Sequence, residues 1–161
     1  GRLGFNMPIL YSGNSRKTDL EHELGAQYRS LEQLLAEADF VCLVVPLSEK
    51  TRHLIGQREL QLMKPSAILV NISRGPVVDE AALVHALQHG TIRGAGLDVY
   101  EKEPLSDSPL FQLKNAVTLP HIGSATHETR DAMAQRALAN LRSALLGERP
   151  QDLVNPQVFK G

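Results

Sequence analysis

Short apolar runs alternate with amphipathic segments along this chain. PILY (8–11), FVCLVV (40–45), AILVN (67–71), GAGLDV (94–99) and AVTLP (116–120) predict strands. The runs are continuous rather than alternating, which is the pattern of strands buried on both faces of a parallel sheet. Helix patterns fall between them. Ser30 stands as an N-cap before LEQLLAEA, GQRELQLM follows Gly56, and Asp79 caps EAALVHALQ. Gly90 sits where a left-handed C-terminal residue belongs. A last helix is predicted from about Ala125 to Leu146, with Ala132, Met133, Ala137, Leu141 and Leu145 as its apolar stripe. Repeated β-α-β with short connections predicts an open, doubly wound, mostly parallel α/β sheet. The stretch from Gly147 to Gly161 is polar and Pro-containing, and is expected to lie along the surface.

Ligands of such sheets bind beyond the carboxyl ends of the strands. Here those ends are followed by Ser-Gly-Asn-Ser-Arg-Lys, Pro-Leu-Ser, Ile-Ser-Arg-Gly, Tyr-Glu-Lys-Glu-Pro and His-Ile-Gly-Ser. Polar, chemically useful residues occur at each one.

Composition narrows the partners. The formal net charge of −1 gives no basic field for nucleic acid, and three Tyr, four Phe and no Trp offer little base-stacking surface. A single cysteine, Cys42, excludes an intrachain disulfide and a thiolate metal cluster, and fits a reducing, cytoplasmic setting. Cys42 lies within FVCLVV and is expected to be a small buried apolar residue. No stretch is apolar over the length needed to cross a membrane, and no metal site is expected.

The stretch LPHIGSATH (119–127) places a histidine straight after a proline at a strand end. Arg74, Glu103 and His121 each follow a different strand, so the topology allows them to meet in one cleft. Together they suit reduction of a 2-oxo acid. A guanidinium grips a carboxylate bidentately, an imidazolium protonates a carbonyl oxygen, and a carboxylate orients the imidazole. Each residue also has a structural reading: a strand-end histidine in solvent, a turn arginine before Gly-Pro, a solvated loop charge before Pro104.

NISRGPVVDEAAL, AGLDVYEKEPL and LPHIGSATHETR, in that order, resemble the D-isomer-specific 2-hydroxyacid dehydrogenases, over about Val41 to Arg130. GFNMPILY and SGNSRK extend the likeness towards the N-terminus. Within the family the chain looks most like the glyoxylate/hydroxypyruvate reductases that also reduce 2-ketogluconate. The resemblance implies a Rossmann-like fold, with Arg74 binding substrate, Glu103 rather than Glu101 paired with the histidine, and His121 as acid/base. It places Asp98 near the nicotinamide, Val45, Pro46 and Thr51 on the adenine and ribose side, Ile72 among the cofactor-binding residues, and Gly123 and Ser124 beside the cofactor. The family pattern and the apolar surface of the helices around 79–89 and 125–146 lead to a homodimer as the expected assembly.

The family's strand–G-x-G-x-x-G–helix unit is not in this sequence. Gly94-Ala95-Gly96 has only the first spacing and reads as close backbone packing. Gly1-Arg2-Leu3-Gly4 reads as the stretch just after such a helix. Residues 1–146 are therefore expected to be a partial NAD(P)-binding domain and 147–161 a tail, without the family's substrate domain, a portion not expected to turn over alone. For the cofactor, NADP(H) is expected with NAD(H) possible. The strand PILY is followed by Ser12, Asn14, Ser15 and Arg16 with no acid before Asp19, and Arg16 suits a 2′-phosphate. The same residues also read as a basic surface turn. A non-enzymatic relative, a dinucleotide-sensing corepressor-like scaffold, carries much of the same motif set and is the alternative reading. Formate oxidation on the same sheet is disfavoured by Glu103.

Overall fold

The computed structural model describes residues 2–159, with side chains from Gly4 onward. Gly1 of the Gly-Arg-Leu-Gly stretch falls outside it. The chain divides into two compact units, residues Gly1–His121 and Ile122–Gly161.

The first unit opens with one helical turn, α1 (Arg2–Phe5), then β1 (Leu10–Tyr11), α2 (Thr18–Leu24) and β2 (Gln27–Tyr28). It continues with α3 (Leu31–Glu37), β3 (Phe40–Leu43), α4 (Gln57–Leu62), β4 (Ile68–Asn71), α5 (Glu80–Gln88), β5 (Gly94–Leu97) and β6 (Ala116–Thr118). The strand pair β1–β2 is parallel and forms its own small sheet; β3-β4-β5-β6 form a second, all-parallel sheet in sequence order. The short α2 and β2 were not foreseen. Their signal is local: Asp19 and Glu21 in the first turn of α2, and Gly25 at φ 64 closing it.

The helix ends obey the foreseen chemistry. Ser30 accepts from Gln33 N and forms a capping box, and Asp79 accepts from Ala82 N. Gly90 has φ 67.

Strands that progress in one direction with crossovers of one hand put their helices on one face. In this unit α3, α4 and α5 accordingly cover the face bearing Val41, Leu43, Leu69, Ala95 and Leu97, and Leu35, Leu60, Leu83 and Leu87 complete that core. The expectation of strands buried on both faces is corrected for β3, which alternates: Val41 and Leu43 are buried, whereas Phe40 is 57% exposed. Cys42 shares the open face and is exposed, not buried as expected. In the same row of the sheet, its partner Val70 on β4 is half-buried and Val117, on the far strand β6, is 64% exposed.

The second unit contains α6 (His127–Leu145), capped by Thr126, whose hydroxyl accepts from Thr129 N. The tail returns to this helix. Asp152 accepts from Arg136 Nε and Nη2 at 2.5 and 2.6 Å and from Asn140 Nδ2 at 2.6 Å. Those bonds hold its carboxyl down at about 2. No residue of α6 is buried, so the foreseen stripe of Ala132, Met133, Ala137, Leu141 and Leu145 is exposed. The reverse holds for α5, whose apolar side chains Leu83, Ala86 and Leu87 are spent on the core, so that of its other apolar residues only Ala81 is exposed and Ala82 and Val84 are half-buried where a broad apolar surface was expected around 79–89.

Candidate active site

A parallel sheet brings the carboxyl ends of β3, β4, β5 and β6 to one edge. The loop after β4 is organised by Asn71, an amide ending an apolar strand and 1% exposed. Its Oδ1 accepts from Ser73 N and Ser73 Oγ at 3.1 and 2.9 Å, and its Nδ2 donates to Arg74 O at 3.0 Å. Both ends of a buried amide are thereby satisfied, and the turn presenting Arg74 has little freedom. Arg74 precedes a short 3₁₀ turn, Gly75–Val77, and its Nη1 donates to Ser73 O at 2.7 Å.

Gly75 touches the loop after β5. A Cβ there would lie 1.8 Å from the Tyr100 carbonyl carbon and oxygen. Only a residue without a side chain permits this contact. Tyr100 is buried, and its hydroxyl donates to Leu119 O at 2.8 Å, tying the β5 loop to the segment leading to His121. Burial pushes its phenol above the ordinary range. Tyr100 N donates to Glu103 Oε1 at 3.0 Å, and Glu103 Oε2 lies 2.6 Å from His121 Nδ1. Burial works to raise the Glu103 carboxyl, but the His121 bond, the Tyr100 N–H and the charges of His121 and Arg74 outweigh it and hold the group below its usual range.

His121 has φ 53, a left-handed conformation uncommon outside glycine. Its side chain remains 47% exposed, facing a cleft of about 470 Å³ lined by Tyr100, Glu103, Leu105, Phe111, Leu119 and His121. With Nδ1 engaged by the carboxylate, Nε2 is the ring nitrogen left for a ligand. This arrangement can bind an anion and transfer a proton at Nε2.

Of the remaining candidates, Ser12 is half-buried, and Asn14, Ser15 and Arg16 are exposed in the turn after β1. Arg16 is not free of acids, as the linear pattern suggested. Its Nε and Nη2 donate to Glu21 Oε1 and Oε2 at 3.0 and 2.6 Å, because α2 starts directly after the turn and returns Glu21 to it. Tyr11 also donates to Glu21, at 2.6 Å. Thr51 Oγ1 donates to Pro46 O at 2.6 Å and accepts from Ser48 N at 2.8 Å, so the hydroxyl closes its own loop beside half-buried Val45. Ile72 is 55% exposed and Asp98 is 6% exposed. Asp98 N donates to Asn71 O at 3.0 Å. Gly123 and Ser124 belong to the second unit, ahead of α6. Asn71, Tyr100 and Glu21 are not among the residues that the sequence pattern singles out. An amide at the end of an apolar strand was the one available signal for the first.

A parallel α/β sheet with an arginine, a glutamate and a histidine on three successive strand ends defines a dehydrogenase-type nucleotide domain. The family model for "D-isomer specific 2-hydroxyacid dehydrogenase, NAD binding domain" matches residues 2–123, and the chain belongs to that family. It is 56% identical over 159 residues to glyoxylate/hydroxypyruvate reductase B of Cronobacter sakazakii, covering 98% of this chain and 49% of that protein. The corresponding figures for the Pectobacterium carotovorum reductase of the same name are 57%, 98% and 50%. The chain thus spans about half the length of these relatives. Among solved structures, a Thermus thermophilus protein matches with TM-score 0.86 and 45% identity, over 94% of this chain and 47% of that one. An NADPH-dependent glyoxylate/hydroxypyruvate reductase from Sinorhizobium meliloti, solved with NADP and malonate, matches with TM-score 0.80 and 37% identity, over 88% of this chain and 43% of that one.

Proposed function

We propose that this chain is the cofactor-domain portion of a reductase that converts small 2-oxo acids, glyoxylate and hydroxypyruvate foremost and 2-ketogluconate among them, to D-2-hydroxy acids. The observation that carries this reading is the 2.6 Å contact between His121 Nδ1 and Glu103, at a cleft, with the Arg74 charge close enough to lower the same carboxyl. A nicotinamide cofactor supplies the hydride when bound. The chemistry of the donor set fits such a group: an arginine and hydroxyls after β1, an apolar residue, Ile72, exposed after β4, and a buried aspartate after β5. The pyrophosphate loop is not among the residues of this chain.

Arg74 pairs with the substrate carboxylate and fixes which carbon faces the cofactor. His121 Nε2 delivers a proton to the carbonyl oxygen as that oxygen gains charge. Glu103 engages Nδ1 and orients the ring, which leaves Nε2 to act on the substrate. NADP(H) is favoured over NAD(H) by Arg16, whose guanidinium has five N–H donors, of which Glu21 occupies two. Association as a homodimer is supported by Met133, Leu138, Leu141 and Leu145, all exposed on α6.

The test is hydride transfer in the longest form of the protein that carries this chain, monitored by NADPH and NADH absorbance with glyoxylate and hydroxypyruvate. His121→Ala should lower kcat by about a hundredfold to ten-thousandfold while cofactor affinity stays level. Turnover near that of the unaltered protein would refute the assigned role, and absence of reduction with any 2-oxo acid would refute the function.

A further inference from the structure

A second histidine–glutamate pair lies beside the first and serves no role in the chemistry above. His53 Nε2 is 2.8 Å from Glu101 Oε1. Glu101 is in turn locked to the start of α5: Glu80 N donates to Glu101 Oε1, and Glu101 N donates to Glu80 Oε2, both at 3.2 Å. His53 N donates to Pro76 O at 2.8 Å, and Ile55 bridges Val78 in parallel fashion. The loop after β3, which carries Thr51, the turn after Arg74 and the loop before Glu103 are therefore joined at one place.

Like His121, His53 has positive φ, at 50. A backbone in that region is retained where its surroundings over-determine it. Stability alone is a weak explanation, since the His53 and Glu101 side chains are 45% and 37% exposed and half-exposed ion pairs contribute little. Position is the better one. Glu101 adjoins Tyr100, whose N–H holds Glu103 Oε1, and Tyr100 abuts Gly75 with no room for a methyl group. Any retreat of residues 100–101 carries the Glu103 carboxylate away from His121.

We propose that His53 and Glu101 are positioning residues, a clamp that holds the β5 loop so that Glu103 stays aimed at His121 Nδ1. This rests on the reading of Glu103 and His121 as the acid–base pair.

The test reads the carboxyl of Glu103 by NMR titration of the 161-residue chain, with neither substrate nor turnover involved. In Glu101→Ala the two explanations have opposite signs. Loss of a neighbouring negative charge through field alone lowers the Glu103 midpoint, whereas loss of the clamp raises it towards the ordinary glutamate value. Glu101→Gln, which keeps an acceptor for His53 and for Glu80 N, should restore most of the difference. His53→Asn, a residue that tolerates positive φ but is too short to reach Glu101, should raise the midpoint as well. In turnover, both disruptive variants should lower kcat about tenfold or more with cofactor KM nearly unchanged. A Glu103 midpoint that falls or stays put in Glu101→Ala overturns the clamp. Failure of the reductase reading appears separately, as a clamp intact by titration in a protein that reduces no 2-oxo acid.

Discussion

Gly75→Ala tests how tightly the site loops are built. The added methyl would lie 1.8 Å from the Tyr100 carbonyl carbon and oxygen and 2.5 Å from Glu101 N. Ordinary contact begins near 3.4 Å, so the backbone at Tyr100 must withdraw by about 1.6 Å, or the turn after Arg74 must do so. The obstacle is backbone on both sides, and no flexible side chain can yield. Overpacking relieved by backbone shifts costs about 1–3 kcal/mol. For a chain of this size that corresponds to a fall of about 3–10 °C in the thermal midpoint. The site should suffer more than the fold, because displacing a reacting group by about 1 Å costs on the order of a hundredfold in rate. The assay pairs thermal unfolding of the chain with hydride transfer, and uses Gly4→Ala as control, since a Cβ at Gly4 meets nothing within 4 Å. The control should match the parent or exceed it slightly, by less than about 1 kcal/mol. If Gly75→Ala unfolds at the parent temperature and turns over normally, the Gly75–Tyr100 contact does not set the site, and the account of how Glu103 is placed fails with it.

Other outcomes are equally specific. Arg16→Ala should reduce catalytic efficiency with NADPH about tenfold or more and leave NADH nearly level; a parallel fall with both would make Arg16 a support for the turn through Glu21. Asp152 titrates at about 2 in the folded chain against 3.8 ordinarily, so its contribution is present above about pH 4 and is lost as pH falls through 2. Asp152→Asn should therefore lower the unfolding midpoint of the second unit at neutral pH, with the gap closing in acid; a gap independent of pH would contradict the ion pair. Leu69→Ala, at a core position with 0% exposure, should cost about 2–5 kcal/mol in urea unfolding, and a change under 1 kcal/mol would mean that the β4 core is not packed as described.

Local patterns determined much of this protein. Apolar runs placed β3 to β6, and cap residues such as Ser30 and Asp79 marked where helices begin, because both signals act within a few residues. The order of the motifs pointed to the family. Three matters lay beyond reach of the linear pattern. Which face of β3 is covered depends on the direction of successive crossovers, and this is why Cys42 and Phe40 are open to solvent although FVCLVV reads as buried. Whether Arg16 stands alone depends on α2 folding back, which brings Glu21 to it. How much apolar surface α5 offers depends on the core it packs into, which takes Leu83, Ala86 and Leu87. The pairing of His121 with Glu103 rather than Glu101 was drawn from resemblance. Its geometry, however, comes from contacts distant in sequence: Gly75 against Tyr100, Tyr100 to Leu119, and His53 to Glu101. A sequence specifies such contacts only through the whole fold, because each needs two loops delivered to the same place by different strands.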